Sequence, residues 1–149
     1  MEDILYNIYC DMDGVLVDFE KGVIEKINSE LSSDSPKLPK YANKVIEQLG
    51  RNYITRDDIK KYSPGKSKAA TKYMYALVHD DEEFWATLPW MKGGKHLWAR
   101  IRNLDPMILT SPMDKKGKNE SMLGKSRWVE KNLGISPDRI IFAHSKWDY

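Results

Sequence analysis

The residues with the clearest chemical potential stand near the start of the chain, in Asp11-Met12-Asp13-Gly14-Val15-Leu16-Val17-Asp18. They follow the run Ile4-Leu5-Tyr6-Asn7-Ile8-Tyr9-Cys10, whose branched and aromatic residues predict a buried strand. Side chains two apart on extended backbone point the same way, so Asp11 and Asp13 can face one pocket, with Gly14 letting the chain turn sharply behind them. Two close carboxylates repel and need a cation. Magnesium suits such oxygen ligands and also draws in phosphate, which makes Asp11 and Asp13 the candidate metal residues. The C-terminal edge of an open α/β sheet is where ligands bind. The same residues also read as an Asp-Gly turn after a strand, with no function. His79, His96 and His144 lack metal-ligand spacing, and Cys10 is the lone cysteine, so neither a disulfide nor a thiolate zinc site is expected.

The elements around this pair follow from periodicity. Phe19, Val23, Ile27 and Leu31 recur every four residues, predicting one face of a helix that Asp18 caps and that ends at Ser32-Ser33-Asp34-Ser35-Pro36. A second helix is expected over 41–49 with Gly50 as its stop, and Thr55 with Asp58 three residues on reads as a capping box opening a third that ends at Ser63-Pro64-Gly65. A further helix over 66–78 and the aromatic pair Phe84-Trp85 complete a mainly helical insertion over 20–90. Beyond Gly93-Gly94, a helix carrying Leu97, Trp98 and Ile101 feeds a second buried strand, Met107-Ile108-Leu109, that ends in Thr110-Ser111-Pro112. A polar loop over 113–120, a helix over 121–133 stopped by Gly134, and a third strand over 139–143 follow. Strands alternating with helices predict an α/β fold with a parallel sheet.

Composition sets the frame. With 149 residues, 31% charged and 41% hydrophobic, the chain is expected to form one globular domain rather than a disordered polymer. No run approaches the roughly 20 apolar residues of a membrane span, and Met1-Glu2-Asp3 is acidic where a secretory signal is basic, so a reducing, cytoplasmic location is expected. A net charge of +2, from 24 basic against 22 acidic residues, requires no nucleic-acid or membrane partner. Lys60, Lys61, Lys66, Lys68 and Lys72 make a basic stretch ahead of Asp80-Asp81-Glu82-Glu83, readable as two solvated patches or as a basic lure for an anionic substrate.

Asp-x-Asp-Gly-Val after a first strand, Ile108-Leu109-Thr110-Ser111 ending a second, and Lys125 in the next helix occur in the order of the haloacid dehalogenase superfamily, which the sequence resembles over nearly its whole length. The 5′(3′)-deoxyribonucleotidase branch is the most similar, on Asp11 to Glu20, on Thr110-Ser111-Pro112 and on Lys125-x-x-Trp128-Val129-Glu130-Lys131-x-x-Gly134. The resemblance implies a Rossmann-like core, 1–19 and 91–149, with helices on both faces of the sheet and 20–90 as a cap. It also implies a magnesium-dependent phosphomonoesterase of nucleoside monophosphates. Asp11 would be the nucleophile, Asp13 the general acid and base and a magnesium ligand through its carbonyl, and Thr110 and Lys125 the phosphoryl-binding groups. Phe19, Trp85, Ser111 and Lys146 would meet the substrate, with Phe84 and Trp90 as further stacking candidates. On residue type alone Thr110 also reads as a strand-end cap, Lys125 as one of several exposed helix lysines, and the aromatics as core.

The family's fourth motif, an acidic pair after one more strand, has no counterpart before Trp147-Asp148-Tyr149, and that strand would lie beside the first. A truncated form, a sheet completed by another chain, or a degenerate homologue would each account for this. Three readings compete with a nucleotidase: a related phosphatase acting on another small phosphoester, a catalytically silent nucleotide-binding protein and, third because the lysine-rich segments are not interleaved with stacking aromatics, a nucleic-acid-binding module. A homodimer stays open.

Overall fold

The computed structural model of the chain describes residues 6–34, 47–58, 78–114 and 116–144. Three short strands, β1 (Tyr9–Asp11), β2 (Met107–Thr110) and β3 (Ile140–Phe142), form a parallel sheet in the order β1-β2-β3. Asp11 lies opposite Leu109 and Thr110 opposite Phe142, so β1 and β2 end side by side. Among the described residues, the strand expected from Ile4 pairs over Tyr9–Asp11, continued by the Met107 amide donating to the Ile8 carbonyl at 2.8 Å. Tyr6, expected within a buried strand, is instead exposed.

Among the described residues lie the helices α1 (Phe19–Leu31), α2 (Glu82–Ala86), α3 (Gly94–Ile101) and α4 (Glu120–Leu133). Short 3-10 turns at Arg102–Leu104 and Pro137–Arg139 lead into β2 and β3. The α/β class with a parallel sheet matches the alternation of elements along the sequence. No described helix is long and apolar enough to cross a membrane.

Contacts divide the chain into two compact units, Met1–Phe19 with Asp80–Tyr149, and Glu20–His79. Residues 80–90, expected in the insertion, belong with the sheet-bearing unit, because α2 packs on α4. A Cβ on Gly124 would stand 2.4 Å from the Glu82 carbonyl oxygen and from the Trp85 Cβ, so the helices meet where α4 has no side chain. Asp81 caps α2 by accepting the Phe84 amide at 3.0 Å, a structural use of one acid in the run 80–83. The core of this unit includes Met12, Leu16, Trp85, Ile108 and Trp128, whose indole donates to the Leu88 carbonyl at 2.8 Å.

In the second unit, α1 buries Gly22, Val23 and Ile27, so glycine stands on the buried stripe and Leu31 is only half-buried. Residues 47–49 are helical and end at Gly50, with φ of +64°. The Thr55 capping box forms: the Thr55 amide donates to Asp58 Oδ2 at 2.7 Å, and the Asp58 amide to Thr55 Oγ1 at 3.4 Å. The helix expected over 66–78 lies, apart from Val78, outside the described residues, as does the basic stretch Lys60 to Lys72.

Candidate active site

The backbone after β1 folds back on itself. The Met12 carbonyl accepts the amides of Val15, Leu16 and Val17 at 3.3, 2.9 and 3.0 Å, and the Gly14 amide donates to the Val17 carbonyl at 2.9 Å. Gly14 turns this loop at φ of +77°, a conformation strained for residues with a Cβ. The loop is laced to the segment before α3: Asp18 donates its amide to the Pro89 carbonyl and Met91 donates its amide to the Leu16 carbonyl, at 2.9 and 2.8 Å. Gly94 lets α3 begin against the loop, since a Cβ there would lie 2.8 Å from the Leu16 oxygen. The segment carrying Asp13 is therefore held by its own turn and by residues 89–94.

Thr110 ends β2 fully buried, its carbonyl accepting the Ala143 amide at 3.0 Å. Lys125 lies on the buried stripe of α4, with Ser121, Gly124, Trp128 and Val129 at helical spacing, and is itself 0% exposed. Asp114 sets the start of that helix, accepting the amides of Ser121 and Met122 at 2.7 and 3.2 Å, and Ser121 Oγ accepts the Met113 amide at 2.9 Å. Within the loop read only as polar, Asp114 is thus a cap for α4, signalled by an acid seven residues before the buried stripe begins.

These elements bring Asp13, Thr110 and Lys125 together. Lys125 Nζ donates to Asp13 Oδ2 at 2.7 Å, to Thr110 Oγ1 at 3.0 Å and to the Ser111 carbonyl at 2.9 Å, which occupies all three ammonium protons. Thr110 Oγ1 also donates to Asp13 Oδ2 at 3.2 Å. A buried ammonium is costly unless paired, and this one is paired and fully hydrogen-bonded. Lys125 is therefore not an exposed helix lysine, nor Thr110 only a strand-end cap. Asp11 sits two residues before Asp13 at the end of β1, its Oδ1 accepting the Met12 amide at 2.7 Å.

Asp13 Oδ1 is buried and has no hydrogen-bond partner among the described residues. A buried carboxylate oxygen without a donor is a site for a cation or a proton. A magnesium ion is satisfied by one or two carboxylates with phosphate oxygens and water, and Asp11 with Asp13 fits that donor set. No cluster of three His, Cys, Asp or Glu side chains suited to a metal occurs among the described residues. The neighbouring Cys10 thiol is pushed up to about 11, by burial first and the Asp11 charge second, so it stays protonated at neutral pH and is no nucleophile.

The aromatic candidates separate. Phe19 is half-buried and stacks on Trp85 at 5.5 Å between centroids and 20° between planes. Trp85, expected against the substrate, is 0% exposed and has no ring surface reaching solvent, because α2 presses it onto α4. Phe84 is also buried, edge-on to both rings. Trp90 is half-buried and packs on Trp128 at 4.9 Å. Ser111 reaches the cluster through its carbonyl. Lys146 lies outside the described residues.

No protein-family model matches the chain. Over 146 residues, 94% of this chain, it is 29% identical to the 5′(3′)-deoxyribonucleotidase, mitochondrial, of Mus musculus. The chain spans 59% of that protein's length and is its distant relative.

Proposed function

We propose that this chain is a phosphomonoesterase acting on nucleoside monophosphates. The observation that carries the proposal is the buried Lys125 ammonium joining Asp13 and Thr110 from 112 and 15 residues away in sequence. A cation, a hydroxyl and a carboxylate with one unmatched oxygen, beside Asp11, match the needs of phosphoryl transfer. The distant likeness to a nucleotidase supports the substrate class.

In this reading the Asp11 carboxylate attacks phosphorus, the bond to the nucleoside oxygen breaks, and Asp13 gives that oxygen its proton. Asp13 then takes a proton from water as the water oxygen attacks the aspartyl-phosphate, which releases phosphate and restores Asp11. Thr110 and Lys125 hold the phosphoryl oxygens, and since the three protons of Lys125 are engaged, a phosphoryl oxygen enters by displacing one acceptor. Magnesium would be held by the Asp11 carboxylate and the Asp13 main-chain carbonyl and would supply charge neutralisation when bound. The half-buried Phe19 is the ring on which a base would pack. The wider reading is a haloacid dehalogenase core with the insertion as its cap, in a cytoplasmic protein that takes a small-molecule nucleotide.

A second reading, a related phosphatase of another small phosphoester, draws support from the full burial of Trp85 and the burial of Phe84, which removes two rings from a base pocket. The test is magnesium-dependent phosphate release from a panel of deoxyribonucleoside monophosphates and sugar phosphates, with Asp11→Asn and EDTA as controls. Release from nucleotides that is lost in both controls is expected. Release from sugar phosphates alone would favour the second reading, and release from neither would sink both.

A further inference from the structure

Trp85 touches the site from a side that the hydrogen bonds do not describe. Its ring is fully buried, and the Lys125 ammonium lies 5.0 Å from its centroid. A cation within about 6 Å of an indole face is attracted by the ring quadrupole, most strongly where both are desolvated, and here both are 0% exposed. Phe19 also stacks on the indole, nearly parallel, with ring centroids 5.5 Å apart. Gly124, immediately before Lys125, is what allows α2 to bring the indole this close.

We propose that Trp85 is a positioning residue for Lys125. Three acceptors, Asp13 Oδ2, Thr110 Oγ1 and the Ser111 carbonyl, hold the ammonium by its protons, and the indole adds an attractive neighbour that also keeps water away. Fully buried, Trp85 acts on the phosphoryl group through Lys125 and does not touch substrate. The chemical consequence rests on the phosphoester reading of this site; the placement of Lys125 does not.

The test compares Trp85→Phe, which keeps a ring face, with Trp85→Leu, which does not, in the full chain with folding checked by circular dichroism. In protein labelled with 13C-lysine, the Lys125 methylene signals, identified by their loss in Lys125→Met, are expected to be shifted upfield by the ring. That shift should persist in Trp85→Phe and collapse in Trp85→Leu. Kinetically, Trp85→Leu should lower kcat about tenfold for p-nitrophenyl phosphate and for a nucleoside monophosphate alike, with little change in KM, while Trp85→Phe stays within about threefold of the parent. Lysine signals without the upfield shift would overturn the proposal even in an active enzyme. So would a raised KM confined to the nucleotide, which would mean that Trp85 contacts the base. The shift and its mutant pattern in a protein that hydrolyses no phosphoester would uphold the placement of Lys125 and reject the phosphoester reading.

Discussion

Each of the two units contains an aspartate that meets a cation and a threonine, and the two clusters are finished differently. In the second unit Asp58 accepts Arg51 on both oxygens at 2.8 Å, and its Oδ2 also takes the Thr55 amide and hydroxyl at 2.7 and 2.8 Å. In the first, Asp13 accepts Lys125 and Thr110 on Oδ2, while Oδ1 is buried with no partner among the described residues. The Asp58 cluster joins residues three and seven apart and stiffens a loop at a helix start. The Asp13 cluster joins residues 97 and 112 apart and leaves an oxygen to be matched by something that arrives. A saturated carboxylate stabilises; an unsaturated one at a strand end is available for chemistry.

The largest effect should separate the clusters by function. Asp11→Asn keeps the shape of the β1 end but removes the carboxylate proposed as nucleophile, so phosphate release should fall by at least ~10³-fold with little change in thermal stability. Asp58→Asn should leave turnover unchanged. Assaying both variants beside the parent, with unfolding followed in parallel, tests the contrast; equal losses of turnover would erase it.

Next in size is the removal of the buried cation. Lys125→Met preserves length and burial but leaves the Asp13 charge without its partner. Breaking a buried pair costs about 3–5 kcal/mol, and because Asp13 keeps 28% of its side chain exposed the expected loss is nearer the bottom of that range or below it. Urea unfolding reads the loss. Adding Asp13→Asn to Lys125→Met should restore part of it, since the two residues share one interaction.

Asp58→Asn should cost less, about 2 kcal/mol at neutral pH, from weakened charge-assisted bonds to Arg51 and Thr55. Burial, the largest single influence on this carboxyl, pushes it upward, but the Arg51 and Thr55 hydrogen bonds together outweigh it and hold the group below its ordinary range. A group lowered in the folded state stabilises above its unfolded pKa and loses that contribution as pH falls through the folded value. The gap between parent and variant should therefore be full at pH 7 and close in acid, below about pH 4. A gap that persists unchanged into acid would mean that packing, not charge, sustains the Asp58 cluster.

The two clusters were not equally readable from sequence. The Thr55 and Asp58 capping box is a pattern three residues wide, so local spacing sufficed to find it. Asp13, Thr110 and Lys125 are joined across the sheet, and only the ordered strands and the family resemblance brought them together. One local signal for Lys125 was present: it stands on the stripe formed with Trp128 and Val129, where an unpaired lysine is costly. The burial of Trp85 was not legible, because an aromatic beside an expected pocket looks the same in sequence whether it faces a ligand or the core. Its burial comes from α2 closing on Gly124, a contact between residues 39 apart in number that no periodicity encodes.

That contact gives the smallest and sharpest expectation. Alanine at position 124 would gain roughly 1 kcal/mol of helix propensity over glycine. Its Cβ would also enter at 2.4 Å from the Glu82 carbonyl oxygen and the Trp85 Cβ, and neither atom is the end of a flexible chain that can swing aside. Overpacking of this kind costs about 1–3 kcal/mol, so Gly124→Ala should be net destabilising by about 1 kcal/mol. The strain would be relieved by moving α2, and with it the indole beside Lys125, so turnover should fall along with stability. The Asp58 cluster lies in the other unit and its pH-dependent contribution should be untouched. Urea midpoints for Gly124→Ala, alone and combined with Asp58→Asn, check this: additive losses with reduced phosphate release fit two independent clusters. A stabilised Gly124→Ala would show that α2 and α4 are not in close contact, and that Trp85 has room to turn toward a ligand.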